Sequence, residues 1–201
     1  MIAAAAHRAI EQGGSLRAAL RVAAAVRDKS DAPLVLFSYV NPIVAFGEAE
    51  LPRAAVEAGA DGLLVVDLPP EEGRELRDAA GAVGLSIIPL VAPTTDRERE
   101  ERVLSRASGF VYSVSLTGVT GSKQAPLAEA GKRAHELRAR AGLPVVVGFG
   151  IDSAEKARSV ASAGVDGVVV GTAIVKAIAA SSDPPGAVRD LVGELRRGLD
   201  G

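Results

Sequence analysis

With 201 residues the chain can bury one sizeable core and does not require two. It is 48% hydrophobic but only 3% aromatic, with no Trp, so the core must be Ala, Val, Leu and Ile, which suits helices on buried parallel strands. A net charge of −2 gives no footprint for nucleic acid or an anionic membrane, zero Cys excludes disulfides and thiolate chemistry, and two His (His7, His135) cannot build a His-rich metal centre.

The chain opens on two helical patterns, 2–12 and 15–28, with Gly13-Gly14-Ser15 as break and cap. Met1-Ile2-Ala3-Ala4-Ala5-Ala6 lacks the basic start and cleavage pattern of a signal peptide, and no apolar stretch is long enough to span a membrane. A cytoplasmic protein is expected. Short apolar runs then recur at 34–37, 62–66, 85–90, 110–114, 144–147 and 167–170, and read as strands buried on both faces. Between them lie helical patterns at 54–56, 71–83, 96–107, 127–141 and 154–163. Strand starts are separated by roughly 22 to 35 residues, the length of a strand, a crossover helix and two loops.

Two of the strand entrances nearly repeat. Ala58-Gly59-Ala60-Asp61-Gly62-Leu63-Leu64-Val65-Val66 matches Ala163-Gly164-Val165-Asp166-Gly167-Val168-Val169-Val170. In each, Ala-Gly ends a helix and Asp-Gly turns into the strand, so these loops are expected to serve stability rather than chemistry. Six such units fit an open doubly wound sheet or most of an eight-unit barrel. No early strand leads into a G-x-G-x-x-G helix start, which disfavours a dinucleotide fold. Late glycine loops favour the barrel, where phosphate sits after the last strands.

Function on such a scaffold is carried by the loops after each strand. The first offers Ser38-Tyr39-Val40-Asn41-Pro42, read as a turn with Tyr39 either lining the mouth or structural. The second offers Asp67-Leu68-Pro69-Pro70 and Glu71-Glu72 at an expected helix start. Asp67 ends an apolar strand, where a carboxylate needs a partner or a substrate. Ala92-Pro93-Thr94-Thr95-Asp96 reads as a strand end and helix cap. The fourth offers Tyr112-Ser113-Val114-Ser115-Leu116-Thr117-Gly118-Val119-Thr120-Gly121-Ser122, read as a mobile lid or a plain linker. Gly148-Phe149-Gly150 and Gly171-Thr172 follow consecutive strands and read as a phosphate cradle.

These stretches resemble the tryptophan synthase alpha subunit family. The resemblance rests on Tyr39-Val40-Asn41-Pro42, Val66-Asp67-Leu68-Pro69-Pro70-Glu71-Glu72, Leu90-Val91-Ala92-Pro93-Thr94-Thr95, Val114-Ser115-Leu116-Thr117-Gly118-Val119-Thr120-Gly121, Gly148-Phe149-Gly150-Ile151 and Val169-Val170-Gly171-Thr172-Ala173-Ile174-Val175, in the family's order and spacing. It implies an α/β fold of the TIM (β/α)8-barrel family, here a single partial barrel domain over 1–201. Six of the eight β/α units are expected, the first two strands having no counterpart. It implies a carbon–carbon lyase of tryptophan biosynthesis that splits indole-3-glycerol phosphate, in a retro-aldol reaction, into indole and glyceraldehyde 3-phosphate. No cofactor and no metal are implied. The expected partner is the beta subunit, in an alpha2-beta2 heterotetramer.

By resemblance, Tyr39, Tyr112 and Thr120 bind substrate, with the tyrosines as walls of the indole pocket and Thr120 on the lid. Gly148, Phe149, Gly150, Gly171 and Thr172 bind the phosphate, and Asn41, Pro42 and Asp67 belong to the face that docks the beta subunit. The family's catalytic glutamate and aspartate lie in a Pro-Phe-Ser-Asp-Pro-like segment with no counterpart here. No residue inherits a catalytic role, and the chain alone is expected to be inactive. Two other readings stay open: a non-catalytic phosphate-binding or beta-subunit-binding fragment, and another phosphate-binding barrel enzyme of amino-acid biosynthesis. Six units are also expected to leave unpaired sheet edges at 34–37 and 167–170, and hence a poorly stable or association-prone chain.

Overall fold

A computed structural model describes residues 1–69, 71–92, 94–114, 127–148 and 150–200, with backbone alone for 127–130. The chain runs α1 (Ile2–Glu11), α2 (Leu16–Arg27), β1 (Val35–Ser38), α3 (Val40–Phe46), α4 (Leu51–Glu57), β2 (Gly62–Val65), α5 (Arg74–Ala82), β3 (Ser86–Ile88) and β4 (Leu90–Val91). It continues α6 (Arg97–Leu104), β5 (Val111–Val114), α7 (Leu127–Ala141), β6 (Val145–Gly148), α8 (Ala154–Ala161), β7 (Gly167–Val169), α9 (Thr172–Ala180) and α10 (Pro184–Asp200). Ser15 caps α2 as expected, its Oγ accepting the Ala18 N–H at 3.2 Å.

Three local expectations change. The run at 85–90 is two strands rather than one, because Pro89 has no N–H to give a ladder. Asn41-Pro42 is not a turn but part of α3, where Pro42 occupies the first helical turn and its missing N–H has no intrahelical acceptor to lose. Glu71-Glu72 does not start a helix. α5 begins at Arg74 after Gly73, which sits at φ +67°, and a Cβ there would fall 2.7 Å from the Leu68 side chain. Glu71 instead reaches toward Arg99 and Arg102 of α6, at 3.6 and 3.7 Å.

The strands form two sheets, ordered β1-β2-β3 and β4-β5-β6-β7. β1–β2, β2–β3, β5–β6 and β6–β7 all pair in parallel. The contacts divide the chain into two compact units, one of residues 8–90 and 96–109, the other of residues 1–7, 91–95 and 110–201. In the first unit β2 is buried along its whole length, and Ile43, Leu51, Leu63 and Leu76 form the centre of its core. In the second, Val111 and Val145 from the sheet are buried, as are Ala157 and Val160 of α8. α10 lies so close to α8 that a Cβ at Gly198 would collide with the Ala154 backbone. Among the described residues β1 and β7 each stand at the end of their sheet, and Phe37 on β1 is 59% exposed.

The repeated Asp-Gly entrances fold into the same device twice. Asp61 donates its backbone N–H to the Leu34 carbonyl at 2.8 Å, and its Oδ2 accepts the Leu34 N–H at 2.7 Å. Asp166 does the same to Val145, at 3.0 and 2.8 Å. Each carboxylate also meets an arginine on the helix that precedes the neighbouring strand: Arg27 of α2 at 2.6 Å, and Arg138 of α7 at 3.0 Å. Arg27 further holds the Gly59 carbonyl through Nε and Nη2. One side chain therefore satisfies a strand's first N–H, fixes the register of the pair and anchors a helix.

Asp166→Ala leaves the part-buried Val145 N–H without its acceptor, and should cost about 1–3 kcal/mol in urea unfolding. Arg138→Met, which removes only a half-exposed ion pair, should cost less than about 1 kcal/mol. Equal losses for the two variants would contradict this division of roles.

Candidate functional site

In the second unit, β5, β6 and β7 are in register through Val114↔Gly148 and Gly148↔Val169, so their C-terminal ends lie side by side. Tyr112, two residues before the end of β5, pairs with Val146 across the ladder. Its ring reaches over the neighbouring strand, where a Cβ at Gly148 would coincide with the phenol oxygen. Any side chain at position 148 must displace Tyr112. Burial pushes the Tyr112 phenol above its ordinary pKa.

The two loops that follow these strands lead into helices with opposite endings. α8 is closed by its own residues: the Ser153 Oγ accepts the Lys156 N–H at 3.3 Å, and Glu155 lies in the first turn. α9 has Gly171 as its N-cap, no side-chain cap and no acidic residue in its first turn. Its first backbone bond runs from the Val175 N–H to the Gly171 carbonyl at 3.0 Å, so the N–H groups of residues 172–174 have no acceptor inside the helix. Gly171 sits at φ −116°, open to any residue, and a Cβ there would stand 3.6 Å from Ile2, an ordinary contact. Neither backbone nor packing demands glycine at 171. Gly150 does need it, at φ +37°.

Lys156 escaped the sequence reading. Its Nζ lies 2.7 Å from Asp152 and 3.4 Å from the Gly150 carbonyl, placing a clamped cation beside the glycine loop. The i, i+4 spacing of Asp152 and Lys156 was the available signal.

In the first unit, Tyr39 is the N-cap of α3 and is 61% exposed. Asn41 and Pro42 are exposed on the same helix. Asp67 has a structural partner: its Oδ1 accepts the Val40 N–H at 2.7 Å, capping α3, whose own N-cap residue makes no side-chain bond. The expectation for Ala92-Pro93-Thr94-Thr95-Asp96 as a strand end and cap is met at both ends, by Thr95 Oγ1 accepting the Ala92 N–H and Asp96 Oδ1 accepting the Arg99 N–H. Thr120, with most of the expected lid, and Phe149 lie outside the described residues. The glycine loops belong to one unit and Tyr39, Asn41, Pro42 and Asp67 to the other. Among the described residues no group of three or more His, Cys, Asp or Glu could hold a metal ion, and no helix is long and apolar enough to cross a membrane.

A family model described as tryptophan synthase alpha chain matches residues 1–196. The tryptophan synthase alpha chain of Geobacter sp. (strain M21) is 47% identical over 169 residues, covering 84% of this chain and 63% of that protein. That of Deinococcus radiodurans is 43% identical over 194 residues, covering 96% of this chain and 72% of its own. Among solved structures, the tryptophan synthase a2b2 complex of Pyrococcus furiosus contains a chain that is 34% identical, with a TM-score of 0.86, covering 100% of this chain and 80% of that one. The chain thus spans less than two thirds of the length of the Geobacter relative. The fold class is the α/β class of the family's TIM barrels, with fewer strands than a full barrel among the described residues. On this match the chain belongs to the tryptophan synthase alpha chain family.

Proposed function

We propose that this chain holds indole-3-glycerol phosphate for the retro-aldol cleavage to indole and glyceraldehyde 3-phosphate, as part of a cytoplasmic tryptophan synthase alpha subunit that acts with a beta subunit and uses no cofactor. The observation that carries the reading is the open N-terminus of α9 beside the glycine loop after β6. N–H groups without an acceptor inside the helix and the positive end of the helix dipole favour a dianion there, and since neither backbone nor packing demands glycine at 171, room for the anion accounts for that residue. The end of α8 is less suited to an anion, because the Ser153 Oγ takes up the Lys156 N–H and Glu155 places a negative charge in the first turn. Gly148, Phe149, Gly150, Gly171 and Thr172 are accordingly assigned to the phosphate.

Tyr112, neutral and half-buried beside Gly148, is assigned to the indole wall, with Tyr39 as a second aromatic and Thr120 on the lid. Retro-aldol cleavage needs a base at the glycerol hydroxyl, an acid at indole C3 and an acceptor for the indole N–H as positive charge develops. The family supplies these with a glutamate and an aspartate; none of the 201 residues is assigned either role. Asn41 and Pro42, exposed on α3, are assigned to the face that meets the beta subunit, together with Asp67, whose carboxylate holds the start of that helix.

Two outcomes test this. Glycerol 3-phosphate should bind the 201-residue chain in calorimetry, and Gly171→Asp should weaken it by about ten-fold or more while leaving the unfolding midpoint unchanged or raised, because Asp is a strong N-cap that occupies the anion's place. Unaltered binding in that variant contradicts the cradle. Indole-3-glycerol phosphate should bind the chain and release no indole; clear turnover overturns the assignment of the proton transfers to residues other than these.

A further inference from the structure

Packing does not hold Gly150 in place. It lies at φ +37°, in the region that glycine enters most easily, and a Cβ there would meet nothing within 4 Å. The peptide that follows it is held by its neighbours instead. The Ile151 side chain is buried, at 3% exposure. The Lys156 Nζ donates to the Gly150 carbonyl at 3.4 Å and to the Asp152 Oδ1 at 2.7 Å. Lys156 reaches back to the loop from the first turn of α8, whose start is fixed by the Ser153 cap. Asp152 already compensates the ammonium charge, so what Lys156 gives the loop is a grip on its backbone rather than a free cation.

We propose that Lys156 is a positioning residue for the phosphate: by holding the Gly150 carbonyl toward α8, it keeps N–H groups rather than a carbonyl oxygen presented to the anion. This rests on the reading of the glycine loop as part of the phosphate cradle. In a planar trans peptide the carbonyl and the N–H point in opposite directions, so a Gly150 carbonyl drawn toward Lys156 turns the Ile151 N–H to the other side. Without a Cβ at 150, that peptide can rotate at little steric cost. Rotation would bring the negative end of the carbonyl dipole round to the face the N–H had occupied, where it repels a dianion. The bond from Lys156 opposes that rotation, while the buried Ile151 side chain fixes the chain just beyond it.

Lys156→Met removes both bonds, whereas Lys156→Arg keeps donors for both oxygens. In calorimetry on the 201-residue chain, Lys156→Met should weaken glycerol 3-phosphate by about five-fold or more, and Lys156→Arg should bring it back to within about two-fold of the unsubstituted chain. The urea midpoint of both should be unchanged, since α8 keeps its own cap. The loss should persist in about 1 M KCl, where charges are screened within about 3 Å, because it comes from the orientation of a peptide. In the free chain, relaxation dispersion should appear at the Gly150 and Ile151 amides of Lys156→Met and vanish again in Lys156→Arg. Unchanged affinity in Lys156→Met, with Gly171→Asp still weakening the ligand, overturns the role of Lys156 and leaves the cradle standing. Failure of the unsubstituted chain to bind glycerol 3-phosphate overturns the cradle, and this role with it. A loss that disappears in KCl shows the ammonium acting on the anion as a charge and overturns the positioning role, as does a loop equally rigid with and without Lys156.

Discussion

The two carboxylates at the strand entrances, Asp61 and Asp166, are the constraint from which the rest of the arrangement follows. A parallel strand needs its first backbone groups satisfied where no turn can do so, because its neighbour's chain comes from a crossover rather than a hairpin. Each Asp solves this with a backbone donor and a side-chain acceptor for one residue at the entrance of the neighbouring, earlier strand, and draws an arginine from the helix before that strand into the same knot. The N-terminal edges are thereby closed. What remains open for chemistry is the other end of each strand.

At those C-terminal ends, closure and vacancy alternate in a way that residue types alone did not reveal. Asp67 and Ser153 stand in comparable places after β2 and β6, and both cap helices of the chain itself. After β7, Gly171 supplies no side-chain cap, and the first N–H groups of α9 have no acceptor inside the helix. The difference between a structural loop and a binding loop thus comes down to whether the helix's first N–H groups have been met from within the chain. Tyr112 and Gly148 add the second condition, a close approach between adjacent strands that puts an aromatic ring at the same edge.

Much of this was legible in the sequence. The apolar runs locate the strands within a residue or two, and the pattern at 127–141 coincides with α7, because buried parallel strands and amphipathic crossovers carry strong local periodicity. The paired Asp-Gly entrances could be read as structural from their helix-ending glycines. Where reading failed, tertiary context won over local punctuation. Asn41-Pro42 looks like a turn opener, yet the Asp67 carboxylate, 25 residues downstream of Pro42, caps a helix around it. Pro89 looked compatible with one strand and instead divides two. Glu71 looked like a first-turn acid and is drawn to α6 by Arg99 and Arg102. Lys156 was legible only in part: its i, i+4 spacing from Asp152 signals the ion pair, but its approach to the Gly150 carbonyl depends on a loop conformation that no periodicity encodes.

The central claim is that the phosphate of the substrate sits on backbone N–H groups at the start of α9 and in the loop after β6. Backbone amide spectra of the 201-residue chain, recorded while glycerol 3-phosphate is titrated in, test it most directly. The account predicts saturable shifts concentrated on the amides of Gly150, Gly171, Thr172, Ala173 and Ile174, with those of Ser153 to Lys156 little changed because α8 is capped from within. Shifts centred on α8, or absent from the first residues of α9, would contradict it.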